Sequence, residues 1–266
     1  MAVLDGALID IDGVLTLSWR PIPGAVRALT RLREADLPFV LLTNTTSRTR
    51  SAIAATLGDL GFPVTLQDIL TAPAATAGYL AEHHPGARCL LLNSGDVRQD
   101  LAGVTLVDGS EDGAAQADLV LLGGAGPAFH YASLNRAFGL LQHGAPLVAM
   151  HRNLYWRTDR GLQLDVGAFL PGLERAANVR AEVIGKPARP FFTAALELLG
   201  TEAERTVMVG DDIASDVLAA QRLGITGALV RTGKYQEHAL HDADAAPDHV
   251  LDSVADLPDL ILTRPP

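Results

Sequence analysis

The stretch Ala7-Leu8-Ile9-Asp10-Ile11-Asp12-Gly13-Val14-Leu15 decides the fold. Its first residues form the short apolar run of a strand buried on both faces, and two aspartates stand where that run ends. Alternate side chains of a strand share a face, so Asp10 and Asp12 lie on the same side of the chain at the strand's carboxyl end. That end is where open α/β sheets bind ligands. Gly13 lets the backbone turn away without a β-carbon obstructing the place. By itself the pattern also suits a strand closed by an Asx turn, so its meaning depends on the other strand ends.

Outward from this stretch, short apolar runs alternate with segments of helical period, the signature of a parallel sheet covered by helices. A helix is expected over residues 25–35 and a second strand at Phe39-Val40-Leu41-Leu42. Another helix is expected from Ser47, as N-cap, to Leu60. A middle block can make its own small sheet, with strands at residues 88–92, 118–122 and 146–150 and helices at 74–82, 131–142 and 167–177. The chain then resumes with strands at 181–184, 206–209 and 227–230, helices at 190–199 and 215–223, and a last strand and helix within 248–262. The fold class is α/β: a Rossmann-like doubly wound parallel sheet with a smaller α/β insertion.

Composition narrows the function. The 266 residues are 48% hydrophobic, enough for a packed core and against disorder. With 31 acidic against 21 basic residues the net charge is −10, the wrong sign for clustered phosphate contacts, so nucleic acid is excluded as a partner and a small-molecule ligand favoured. The single cysteine, Cys89, has no disulfide partner and reads as a buried strand residue. The first residues lack the pattern of a signal peptide, and no apolar stretch reaches the roughly 20 residues that span a bilayer. The expectation is a cytoplasmic protein with no membrane partner.

Three further strand ends give Asp10 and Asp12 their company. The second strand closes on Thr43-Asn44, and the helix expected from Ser47 would aim its free N–H groups at the same edge, a cradle for phosphate. Lys186, in Gly185-Lys186-Pro187, follows the strand expected at 181–184. Gly210-Asp211-Asp212 and then Asp216 follow the strand at 206–209. So many carboxylates in one cleft repel one another, a conflict that a divalent cation resolves.

In this order the motifs resemble those of the haloacid dehalogenase superfamily, aspartate-dependent phosphohydrolases. Asp10-Ile11-Asp12-Gly13-Val14 matches the first motif, Thr43 the second, Lys186 the third, and Gly210-Asp211-Asp212 with Asp216 the fourth. The middle block, lying between the second and third motifs, is similar to the cap of the type IIA branch, as are the strings Leu164-Asp165-Val166-Gly167 and Val230-Arg231-Thr232-Gly233-Lys234-Tyr235. The resemblance implies a split core, residues 1–71 and 183–266, around an inserted cap, residues 72–182. It implies Asp10 as nucleophile and Asp12 as general acid and base. It also implies Mg²⁺ held by Asp10, the Asp12 carbonyl and Asp211, and phosphate bound by Thr43, Asn44, Thr45 and Lys186. Asp212 and Asp216 are assigned to orienting Lys186 or metal-bound water, with N-capping of the following helix the other reading for Asp212. One departure is Thr45, where many relatives carry a second Asn; it alters substrate contacts and leaves the chemistry intact.

The implied activity is Mg²⁺-dependent hydrolysis of a small phosphorylated metabolite, pyrophosphate or phosphoamide through an aspartyl-phosphate. The implied partners are that substrate and a second copy joined through the cap. Two other readings stand beside it. A dehalogenase uses the equivalent first aspartate on carbon without metal, against which Asp12 and the acid cluster argue. A noncatalytic phospho-ligand binder would be signalled by loss of Asp10 or Asp12, and neither is lost. Specificity is expected in the cap, with Asn93-Ser94-Gly95-Asp96 and His151-Arg152-Asn153-Leu154-Tyr155-Trp156 as candidate segments.

Overall fold

The computed structural model describes residues 4–158 and 161–262. It divides into two compact units, one made of Met1–Thr43, Arg50–Leu70 and Lys186–Pro266, the other of Asn44–Thr49 and Thr71–Gly185.

The first unit carries a six-stranded sheet in the order His249–Leu251, Thr226–Val230, Thr206–Gly210, Gly6–Asp10, Phe39–Thr43, Ile69–Thr71. Gly6–Asp10 lies between two parallel neighbours, Thr206–Gly210 and Phe39–Thr43, and is buried along its whole length. That position explains its unbroken apolar run. The chain first fills one side of this strand and later returns to fill the other, so the order reverses beside Asp10, at a switch point where such sheets bind ligands. The helix Ala25–Glu34 buries Ala25, Ala28, Leu29 and Leu32, one stripe of helical period. Leu29 and Leu32 share a core with Ile9, Leu41, Ile53, Leu57 and Val209.

The second unit has its own parallel sheet, in the order Glu182–Val183, Leu147–Ala149, Leu119–Leu122, Arg88–Leu92, Thr105–Leu106. Leu90, Leu92, Val120, Leu122, Ala137, Leu141 and Leu170 form a separate core. Among the described residues, no helix is long and apolar enough to cross a membrane.

Three local expectations are corrected. The helix expected from Ser47 begins at Arg50. Asn93 Nδ2 donates to the Thr46 carbonyl at 3.0 Å and Thr46 is buried, so the chain is tied down just before Ser47 and bends at residues 47 and 48 before the helix starts. The strand expected at 181–184 is Glu182–Val183, and it completes the sheet of the second unit by pairing with Leu147–Ala149. Lys186 therefore opens the returning segment of the first unit instead of following one of its strands. The polar stretch after residue 150 contains an antiparallel hairpin, Tyr155–Thr158 with Gly161–Leu164.

Candidate active site

Asp10 is the last residue of its strand, and its side chain is buried. Lys186, also buried, reaches it: Nζ lies 2.6 Å from Asp10 Oδ1 and 2.8 Å from Asp216 Oδ1. Burial disfavours the ammonium, but the two carboxylates outweigh it and hold Lys186 well above the usual lysine range. Asp216 comes from the helical turn Ile213–Leu218, whose loose winding includes a hydrogen bond from Val217 N–H to the Asp212 carbonyl at 3.4 Å. Wide turns of this kind recur at functional sites.

Asp212 does other work than orienting Lys186. Its Oδ1 accepts the N–H groups of Ala214 at 3.1 Å and Ser215 at 3.0 Å, so it is the N-cap of that turn. Capping is the role seen for this residue, through Oδ1.

Asp211 is fixed from three sides. Its Oδ2 accepts the Lys234 N–H at 2.7 Å. Gly13 and Gly233, with φ of 90° and 63°, approach the carboxylate so closely that a β-carbon on either would collide with it. Among the described residues its Oδ1, which is buried, has no hydrogen-bond partner. One oxygen each from Asp10, Asp211 and Asp216 lies within 4.8 Å of the others. Burial, followed by repulsion from Asp10 and Asp216, pushes the Asp211 carboxyl up to about 8. Burial also raises Asp216, to about 6, although Lys186 pulls the other way. Burial likewise raises Asp10 against the pull of Lys186.

These residues fit a divalent cation. Hard carboxylate oxygens, a buried orphan among them, and mutual repulsion are what such an ion relieves. The side chains brought together are Asp10, Asp211 and Asp216, which moves Asp216 from a supporting place into the cluster itself. The Asp12 side chain stays outside it, exposed, and accepts a long hydrogen bond from Thr43 Oγ1 at 3.4 Å. Thr43, buried, ends its strand beside this group. Asn44 and Thr45 are half-buried and cluster with the second unit.

Sequence reasoning gave no role to Lys234. Partial burial opposes its charge, yet Asp211, Asp10 and Asp216 raise its pKa. The available signal was position, since Thr232-Gly233-Lys234 leaves the end of the strand Thr226–Val230 as the other motifs leave theirs.

In the second unit, both candidate specificity segments are tied into the fold. Asn93 donates to the carbonyls of Thr46 and Gly95 and accepts the Gly124 N–H at 2.8 Å. His151 is buried with Nε2 3.9 Å from Asp165 Oδ2, and Asp165 Oδ1 accepts the N–H groups of Ala125 and Val166. Arg152 pairs with Glu174 at 2.5 Å. Tyr155 and Trp156 are exposed on the hairpin.

Known proteins resemble this chain over most of its length. A haloacid dehalogenase-like hydrolase model matches residues 7–106, and a second model of that type matches residues 183–257. The human phospholysine phosphohistidine inorganic pyrophosphate phosphatase is 35% identical over 268 residues, covering 98% of this chain and 96% of that protein. The human haloacid dehalogenase-like hydrolase domain-containing protein 2 is 37% identical over 233 residues, covering 88% and 86%. Among solved structures, the p-nitrophenyl phosphatase from Archaeoglobus fulgidus superposes with a TM-score of 0.89 at 26% identity, covering 97% of this chain and all of that one.

Proposed function

The chain belongs to the haloacid dehalogenase-like hydrolases and is a phosphatase of that family, and from this premise we propose that it is Mg²⁺-dependent and works through an aspartyl-phosphate on Asp10. One observation carries the reading: the Lys186 ammonium is locked between Asp10 and Asp216 while Asp211 keeps a buried oxygen without a partner.

The Asp10 carboxylate attacks phosphorus, and the bond from phosphorus to the leaving oxygen or nitrogen breaks. Asp12 gives its proton to the departing atom. In the second half, water loses a proton to Asp12 as it attacks the aspartyl-phosphate, which releases inorganic phosphate and restores the Asp10 carboxylate. Lys186 and Thr43, with the backbone after Thr43 through Asn44 and Thr45, hold the phosphoryl oxygens. Asp10, Asp211 and the Asp12 carbonyl would hold Mg²⁺, with the Asp216 carboxylate alongside. The ion, when bound, supplies positive charge to the transferring phosphoryl group.

The substrate class is a small phosphorylated metabolite, pyrophosphate or a phosphoamide. Support for the last two comes from the human relative named for phospholysine, phosphohistidine and inorganic pyrophosphate. The other partner is a second copy of the chain, joined through the hairpin Tyr155–Thr158 with Gly161–Leu164, whose apolar side chains are exposed.

Hydrolysis of p-nitrophenyl phosphate, measured with Mg²⁺ and with a chelator, tests the activity. Turnover should require the ion, and Asp10→Asn should lose it while the protein remains folded. Near-normal turnover by that variant would remove Asp10 as nucleophile.

A further inference from the structure

The loop that leaves the strand Thr226–Val230 is bound to both carboxylate motifs of the first unit. Thr232 Oγ1 donates to the Gly13 carbonyl at 2.6 Å, and Lys234 N–H donates to Asp211 Oδ2 at 2.7 Å. Gly233 has its φ at 63°, where a residue with a β-carbon is strained. A β-carbon there would strike the Asp211 carboxylate and the Gly13 Cα, and one on Gly13 would strike the same carboxylate and the Gly233 Cα. Asp211 is therefore gripped between two glycines with one oxygen committed to an amide. It is held from turning; Oδ1 is buried with no hydrogen-bond partner among the described residues, and one oxygen of the carboxylate lies within 4.8 Å of oxygens of Asp10 and Asp216.

Thr232 closes the grip. Its hydroxyl pins the Gly13 carbonyl, and through it the backbone that follows Asp12, so the first and fourth motifs are held at one separation by a third strand end. A loosely held carboxylate loses freedom on binding an ion, whereas a prearranged one has already lost it. Hydrogen-bond partners behind the ligands set metal affinity for this reason.

We propose that Thr232-Gly233-Lys234 is a positioning element of the cation site, acting through Gly13 and Asp211 to set affinity for the divalent ion without touching the phosphate. The working groups are the Thr232 hydroxyl, the missing β-carbon of Gly233 and the amide of Lys234. The inference rests on the Mg²⁺ reading above.

The test is direct Mg²⁺ binding to chelator-stripped protein, by titration calorimetry and by the ion's effect on the melting temperature, with no substrate present. Thr232→Val and Gly233→Ala should weaken binding roughly 10- to 100-fold, the loss usual for such supporting groups. Thr232→Ser, which keeps the donor, should restore it. In turnover of p-nitrophenyl phosphate, the Mg²⁺ concentration for half-maximal rate should rise for Thr232→Val while KM at saturating Mg²⁺ stays near the wild-type value. General damage to the fold would move both. Variants are compared only where melting in chelator matches wild type, with Thr232→Ala replacing any that fails. Wild-type protein that binds Mg²⁺ no better than its Thr232→Val variant overturns this proposal alone. Wild-type protein that binds no Mg²⁺ overturns the metal reading and this inference with it.

Discussion

Lys186 neutralises two buried carboxylates with one charge, and the cost of removing it measures how strained the cluster is. Lys186→Met would leave Asp10 and Asp216 facing each other, with Lys234 the remaining ammonium acting on the cluster. Breaking a buried ion pair from one side costs about 3–5 kcal/mol. Urea unfolding in chelator should show a loss of that order near neutral pH and less in acid, where the carboxyls can protonate instead. A variant within about 1 kcal/mol of wild type would mean that the ion pairs contribute little. The same cluster fixes a pH dependence. Asp211 is raised to about 8 and Asp216 to about 6, both from 3.8. A carboxyl raised in the folded state binds protons there that the unfolded chain has already released. Its stabilisation is complete below the unfolded pKa and is lost as pH climbs through the folded one. Metal-free protein should therefore lose stability steadily as pH climbs from about 4 to about 8. Mg²⁺ should raise the melting temperature more at the alkaline end, where it no longer competes with protons. An Mg²⁺ effect that is larger in acid would reverse the sign of this linkage.

At the scale of elements, Asp212 separates a cap from a ligand. Asp212→Ala should cost about 1 kcal/mol, the usual loss of an N-cap, and Asp212→Asn should recover most of it. Neither should change Mg²⁺ affinity much, since the carboxylates of Asp10, Asp211 and Asp216 remain; a large change would return Asp212 to orienting Lys186 or metal-bound water. The contrast with Asp216 shows what a sequence can and cannot disclose. Asp10, Asp12, Thr43, Asp211 and Asp216 were legible because chemistry gathers at the carboxyl ends of parallel strands, and each end is marked by a polar residue after an apolar run. Which of two aspartates four apart turns inward depends on the winding of the turn Ile213–Leu218, which no side-chain pattern encodes. Ser47 misled because the chain is anchored at Thr46 by a residue distant in sequence and bends through residues 47 and 48 before the helix begins. The strand Glu182–Val183 was legible as a strand, but two residues carry no pattern that says which sheet they join. Thr232 carried a strand-end position and a place in a family-like string but no role, since its partner, the Gly13 carbonyl, is a backbone atom far away in the chain.

At the scale of the molecule, the hairpin Tyr155–Thr158 with Gly161–Leu164 sets the expected assembly. Tyr155 and Leu164 sit directly opposite each other, 60% and 65% exposed, and Leu154, Trp156 and Leu162 are exposed around them. A two-stranded ribbon is marginal alone, and exposed apolar strands invite pairing. Identical ribbons related by a twofold axis can cover each other and close the assembly at two copies, whereas a heterologous contact would propagate. Light scattering should therefore give about twice the 28.0 kDa chain mass for wild type. Leu164→Arg would bring like charges together across the axis, and with Tyr155→Arg beside it the complex should fall to single chains. Mg²⁺ affinity should survive this change, because the carboxylate cluster belongs to the other compact unit. A wild-type protein that stays monomeric at concentrations of tens of micromolar would sink the assembly. It would leave the apolar ribbon for a different partner, with the phosphatase chemistry of the first unit untouched.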